Sequence, residues 1–209
     1  MGGMSSTTLN TGNNLFPIFL KLETFRVLII GGGVIGFEKI SAVLNNSPLT
    51  NLTLVANTIL PELIDFAGKF PNVTIIQKKF ETSDLDDKDF IISAVNDKVL
   101  SKEITALAKE RKILINVADT PDLCDFYLSS IVKKGDLKIA ISTNGKSPTM
   151  AKRVKEVLND CFPEETQNIL DNLTKIRADL SGNFTEKVKE LNRITSVLVK
   201  KAEVAPINE

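Results

Sequence analysis

The sequence predicts an α/β fold, a mostly parallel sheet with helices on both faces, and three observations lead there. Apolar runs of strand length alternate with helical patterns five times before residue 120. Runs such as Val27-Leu28-Ile29-Ile30 and Phe90-Ile91-Ile92 are apolar throughout, as buried parallel strands are. The first run passes at once into Gly31-Gly32-Gly33-Val34-Ile35-Gly36 and then a helical spacing of Phe37, Ile40 and Leu44.

That stretch reads as strand, tight turn and helix. Gly31, Gly33 and Gly36 fit the G-x-G-x-x-G pattern: the first lets the chain turn sharply, the second lets backbone approach a pyrophosphate, and the third lets helix pack on strand. Amides from Gly31 to Gly36, with Val34 and Ile35 opening the helix, would face the phosphates with the positive end of the helix dipole behind them. The fold is therefore expected to be Rossmann-type, with a dinucleotide as cofactor.

Composition narrows the remaining classes. The chain has 209 residues, 43% of them hydrophobic, enough for one main core and a smaller appendage. Its 26 basic and 26 acidic side chains balance, so no overall field argues for nucleic acid or an anionic membrane. Cys124 and Cys161 form no C-x-x-C pattern and have no histidine partners, which points to two reduced thiols and no metal site. No apolar run reaches the length of a membrane span and no leader pattern opens the chain, so a cytoplasmic location is expected. Histidine is absent altogether, leaving Asp, Glu, Lys, Tyr or Cys to move protons.

Taken in order, residues 1–14 read as a loose tail. Leu15-Phe16-Pro17-Ile18-Phe19-Leu20 reads as an edge segment packed on the core, its proline interrupting an otherwise apolar run. After the glycine turn the first helix should reach about Asn45 and stop at Asn46-Ser47-Pro48. Leu52 to Ala56 is the second strand. Its end normally carries an acid for the adenosine ribose, but here the positions are Asn57 and Thr58. Asn57 can still bond ribose hydroxyls, and the absence of a nearby Arg tilts the cofactor toward NAD over NADP. The bland alternative is that Asn57 and Thr58 cap the next helix.

An amphipathic stretch from Ile59 to Phe70, a strand at Val73 to Ile76 and a solvated acidic turn at Asp84 to Asp89 follow. Phe90 to Val95 is the fourth strand, so Ala94, Val95 and Asn96 should line the cofactor site at the strands' carboxyl ends. A helix from about Asp97 to Arg111 leads into a fifth strand, Ile113 to Asp119, ending in a carboxylate. Asp119 also has a bland reading, a cap before Pro121. Past Phe126, Tyr127 and the Gly135-Asp136 turn, Leu137 to Ser142 is a sixth strand. Ser147-Pro148 then starts a helix whose buried stripe is Met150, Val154, Val157 and Leu158. Beyond Glu165 two stripes, Ile169/Leu173/Ile176/Leu180 and Phe184/Val188/Leu191/Leu198, make a helical hairpin around Ser181-Gly182. The segments past residue 119 lie beyond a complete five-strand unit and need a partner for their apolar faces, which predicts a homodimer.

At this point the residues match a family. Phe16-Pro17-Ile18-Phe19, Gly31-Gly32-Gly33 with Lys39 after it, Asn116-Val117-Ala118-Asp119 and Ser142-Thr143-Asn144-Gly145-Lys146-Ser147-Pro148 resemble the precorrin-2 dehydrogenases, the N-terminal module of siroheme synthases. Order and spacing agree over about residues 15–160. The resemblance implies NAD-dependent oxidation of precorrin-2 to sirohydrochlorin, without the methyltransferase domain of the long fused forms. It divides the chain into an NAD-binding domain at 15–118, a dimerisation segment at 119–160 and a C-terminal helical segment at 161–209. It further implies a catalytic role for Asp119, with the substrate at Asn116, Thr120, Ser142, Thr143, Asn144, Gly145, Lys146 and Ser147. Lys146, Lys152 and Arg153 are candidates for holding its carboxylates. The family often has Ala where this chain has Gly36, which reads as a harmless difference. Some relatives also insert iron; with neither histidine nor paired cysteines, that activity is expected to be weak or absent here.

Two rivals stand beside this reading. Ala140 to Ser147 satisfies a permissive nucleoside-triphosphate loop, but the strand pattern leaves too short a turn to wrap phosphates and Pro148 removes an amide. A redox sensor that binds NAD without chemistry is the other. It has no need of a carboxylate such as Asp119 at the strand end.

Overall fold

A computed structural model describes residues 12–196. By the clustering of their contacts they form two compact units: the chain up to Leu128 together with Asn144–Lys146, and Ser129–Thr143 together with the chain from Ser147.

The first unit is built on five parallel strands, β1 (Arg26–Gly32), β2 (Asn51–Ile59), β3 (Val73–Gln77), β4 (Phe90–Ser93) and β5 (Leu114–Val117), in the order β3-β2-β1-β4-β5. β1 is apolar from Val27 to Ile30 and β4 from Phe90 to Ile92 because both sheet faces are covered there, while the outer strand β3 carries Thr74 and Gln77 and is partly exposed. Val27, Ile29, Leu54 and Ile92 pack against Ile40, Val43 and Leu44 of α1 (Val34–Asn46) and Leu63 of α2 (Pro61–Ala67). Leu28, Ile30, Ile91 and Ile115 turn the other way, onto Leu85 and onto Ile104 and Ala108 of α3 (Lys98–Glu110). From β1 the chain first winds out through β2 and β3, then crosses to β4 and β5 on the opposite side. The carboxyl ends of β1 and β4 therefore flank the point where the winding reverses, where such sheets leave room for a ligand.

At the opposite end of these two strands, Arg26 and Asp89 are joined by four bonds. The Arg26 backbone N–H donates to Asp89 Oδ2 at 2.8 Å, its Nε and Nη2 donate to the two carboxylate oxygens at 3.1 Å each, and the Asp89 N–H returns to the Arg26 carbonyl at 3.0 Å. The guanidinium holds the Asp89 carboxyl below its ordinary range.

The second unit holds an antiparallel hairpin, β6 (Ser130–Lys134) and β7 (Leu137–Ile141), turning at Gly135 with φ +61°. Helices α4 (Pro148–Cys161), α5 (Thr166–Asp179) and α6 (Phe184–Thr195) follow. Gln167 on α5 accepts from the Asp136 N–H at 2.7 Å and donates to its carboxylate at 3.0 Å, tying that helix to the hairpin turn.

Several expectations need correction. Leu15 to Leu20 is no packed edge segment: Phe16, Ile18 and Phe19 are exposed by 86, 61 and 69%, and among the described residues no strand pairs with the run. β2 runs on to Ile59, so Asn57 and Thr58 lie within the strand; α2 starts after Leu60 with no side-chain cap. β4 stops at Ser93 and β5 at Val117, each shorter than its apolar run. β6 was not anticipated, its Ser-Ile-Val-Lys-Lys pattern being too short and mixed to stand out. On α4 the face turned to the hairpin carries Ala151, Val154 and Leu158, leaving Met150 and Val157, one helical step aside, 57 and 60% exposed. The stripes of α5 and α6 are also partly bare, with Ile169, Phe184 and Val188 exposed. Leu198 and most of the 1–14 tail lie outside the described residues.

Ile29, fully enclosed in the central strand, should when changed to Ala lower the unfolding free energy of the first unit by about 2–5 kcal/mol, read from urea denaturation. The Arg26–Asp89 pair predicts a pH effect. A lowered folded-state pKa contributes stability that is present at neutral pH and fades as pH falls through that value. Asp89→Asn should thus leave a shallower loss of stability in acid, a small change because both side chains are partly exposed.

Candidate nucleotide site and the Asp119 turn

The glycine turn is a place where three backbone segments meet too closely for side chains. Gly31 sits at φ +116°, and a Cβ there would lie 2.5 Å from the Ala94 carbonyl oxygen. A Cβ on Gly36 would lie 2.0 Å from the Gly31 carbonyl oxygen, so α1 rests directly on the end of β1. Ala at position 36 is therefore not a harmless difference in this chain. Gly33 is the opposite case: a Cβ there would meet nothing within 4 Å. The sequence pattern passed over Gly32, whose Cβ would strike the Thr58 carbonyl oxygen at 2.5 Å. Three glycines in succession were the available signal.

Gly33 is the N-cap of α1 in an extended conformation, and no side chain caps the helix. Its first turn carries no acidic residue, and Val34 is 73% exposed. The amides of Val34, Ile35 and Gly36 thus open the helix toward clear space at Gly33, the arrangement a pyrophosphate needs. Ala94 and Val95 are half-buried beside Gly31, with the Ala94 N–H bonded to Ile30 at 2.7 Å, and Asn96 is exposed. Asn57 and Thr58 are exposed near the end of β2. Next to them, the Lys78 N–H donates to the Ala56 carbonyl, while its ammonium is committed to Glu81 and Asp84, each at 2.9 Å. Gly31 to Gly36, Asn57 and Ala94 to Asn96 thus lie toward the carboxyl ends of β1, β2 and β4, the side of such a sheet where ligands bind.

Past β5 the chain makes a tight turn and comes back along the strand's outer edge. Asp119 lies in this turn, two residues after the strand, at φ +56° and exposed. It caps no helix, since Thr120 is the N-cap of the short 3-10 helix Pro121–Leu123. The returning segment supplies the partners that β5 lacks on its free side. The Ile115 N–H donates to the Asp125 carboxylate at 3.0 Å, the Asp125 N–H donates to the Ile115 carbonyl at 2.8 Å, and the Val117 N–H donates to Cys124 Sγ at 3.2 Å. Phe126 then reaches the other sheet face and stacks on Phe90 with ring centres 4.0 Å apart. Asn116 is 6% exposed and donates its amide to the Phe126 carbonyl at 2.8 Å. It does not present that group to a substrate; it fastens the returning segment. Thr120 is half-buried, its hydroxyl bonded to the Ala118 carbonyl at 3.3 Å.

The Ser142 to Ser147 turn is compact. Asn144 and Gly145 both have positive φ, the Thr143 hydroxyl bridges to the Ser147 backbone at 3.2 Å, and Ser147 caps α4 through the Met150 N–H at 3.1 Å. Ser142, Gly145 and Lys146 are exposed. The turn between β7 and α4 spans only Ser142 to Ser147. Among the described residues no group of three acidic, Cys or His side chains could hold a metal ion, and no helix is long and apolar enough to cross a membrane.

Comparison with known proteins agrees with this geometry. A family model described as "Putative NAD(P)-binding" matches residues 18–130, and one described as sirohaem biosynthesis protein central matches 134–160. The siroheme synthase of Ruthia magnifica subsp. Calyptogena magnifica is 32% identical over 177 residues, covering 85% of this chain and 35% of that protein. The siroheme synthase of Pseudoalteromonas translucida is 33% identical over 174 residues, covering 83% and 34%. The chain thus spans about a third of the length of these curated relatives. A solved structure, "SirC, precorrin-2 dehydrogenase", superposes with a TM-score of 0.70 at 26% identity, over 91% of this chain and 94% of that one.

The glycines make separable predictions. Gly33→Val should keep the parent melting temperature and lose NADH binding, measured by nicotinamide fluorescence, because its side chain enters only the phosphate space. Gly36→Ala should lower both, because it forces α1 away from Gly31.

Proposed function

We propose, on the premise that this chain belongs to the NAD(P)-binding family whose model spans residues 18–130, that it is an NAD-dependent precorrin-2 dehydrogenase acting in siroheme formation. The observation that carries the reading is the likeness to a precorrin-2 dehydrogenase over nearly the whole of both chains. The open glycine turn at the reversal of the sheet supports it.

Oxidation of precorrin-2 to sirohydrochlorin removes two hydrogens, one as hydride and one as a proton. Bound NAD supplies the hydride acceptor. The chain's own residues hold the cofactor and take the proton. Gly31 to Gly36 cradle the pyrophosphate, and Asn57 bonds the adenosine ribose. NAD is favoured over NADP because Lys78, the cation beside Asn57, is already paired with two carboxylates. We assign proton acceptance to a carboxylate oxygen of Asp119. Among the described residues no bond ties this side chain down, and histidine is absent from the chain. Thr120 and the turn from Ser142 to Ser147, with Lys146, are assigned to the substrate. The enzyme is proposed to work in the cytoplasm as a homodimer joined through residues 119–160.

Asp119→Asn keeps shape and removes basicity. It should bind NADH with parent affinity and lose most turnover, by about a hundredfold or more, when precorrin-2 and NAD are incubated anaerobically and followed by absorbance. Near-parent turnover would assign the base elsewhere. Light scattering at micromolar concentration should return twice the chain mass; a monomer mass would exclude the dimer.

A further inference from the structure

We propose that Cys124 is a positioning residue for Asp119, its thiol closing the turn that aims the carboxylate; the proposal rests on the dehydrogenase reading above. The turn leaves β5 at Val117 and returns at Cys124, and one sulfur addresses both its ends. Cys124 Sγ accepts from the Val117 N–H at 3.2 Å, and its proton is shared between the Val117 carbonyl at 3.2 Å and the Thr120 carbonyl at 3.4 Å. Backbone bonds add to the closure, from Thr120 N–H to the Val117 carbonyl at 3.4 Å, Leu123 to Thr120 at 3.1 Å and Cys124 to Pro121 at 3.0 Å.

Asp119 stands between Val117 and Thr120 with positive φ, a conformation Asp adopts more readily than most residues with a Cβ but one that still costs energy unless the surrounding bonds hold it. Val117 is buried and anchored in the sheet, so the sulfur passes the rigidity of β5 to the far side of the turn. Burial pushes the Cys124 thiol up, so it remains protonated and able to donate at neutral pH. Cys161, exposed on α4, has no such setting.

The test compares the parent chain with Cys124→Ala, Cys124→Ser and, as control, Cys161→Ala in the anaerobic precorrin-2 assay at saturating NAD. Cys124→Ala should lose about tenfold or more in kcat, while its KM for NAD stays within about twofold. Cys124→Ser should recover most of the rate, since a hydroxyl both accepts from Val117 and donates to a carbonyl. Cys161→Ala should match the parent. A folded Cys124→Ala protein with parent kcat, or a Ser variant no better than Ala, overturns the proposal. Should Cys124→Ala fail to fold, methylthiolation of Cys124 in the Cys161→Ala chain replaces it. Turnover falling in step with the modified fraction, with NADH still bound, supports the proposal, and undiminished turnover overturns it. A parent chain without turnover would sink the dehydrogenase reading itself, and this inference with it.

Discussion

Contact between backbone and backbone at one point governs the first unit. α1 touches β1 through Gly36 on the Gly31 carbonyl, and β1 touches the end of β4 through Gly31 on the Ala94 carbonyl. No other residue type allows either approach. Because α1 lies so close, its first amides open beside the reversal of the sheet instead of being lifted away from it. Position and electrostatics are thus settled by the same missing atoms. The two apolar clusters hold the sheet between layers that keep the contact closed, and the Arg26–Asp89 pair fastens the same two strands at their other end.

Much of this arrangement was legible in the sequence. Val27 to Ile30 followed by glycines could be read because the rule behind them is local: a strand, a turn without side chains, a helix. Ser147-Pro148 was legible for the same reason, and Ser147 does cap α4. What could not be read depended on neighbours. The reach of β2 through Asn57 and Thr58 follows from the irregular register in which Gly32 pairs with Ile59 after Ile30 pairs with Val55. The α4 stripe keeps Val154 and Leu158 but has Ala151 in place of Met150 and Val157, because periodicity gives the width of an apolar face and not which line of it meets the hairpin.

Of the predicted site residues, those of the glycine turn are brought together with Ala94 and Val95, as the pattern implies. Asn116 shows the limit of such reading. The family resemblance assigns it to the substrate, yet its amide donates to the Phe126 carbonyl. Cys124 shows the converse. A lone cysteine carried no signal, because its use depends on Val117, which is near in sequence but reached only once the chain has doubled back.

The doubling back also bears on how copies of this chain can meet. An outermost strand of a parallel sheet offers a ready template for any other extended segment, and β5 is one of the two outermost strands here. Its donors are taken up by residues only seven and ten positions downstream in the chain, Cys124 and Asp125. So short a closure costs little entropy and needs no second molecule. β5 is withdrawn from strand exchange and from fibre-like stacking as soon as its own continuation folds over it.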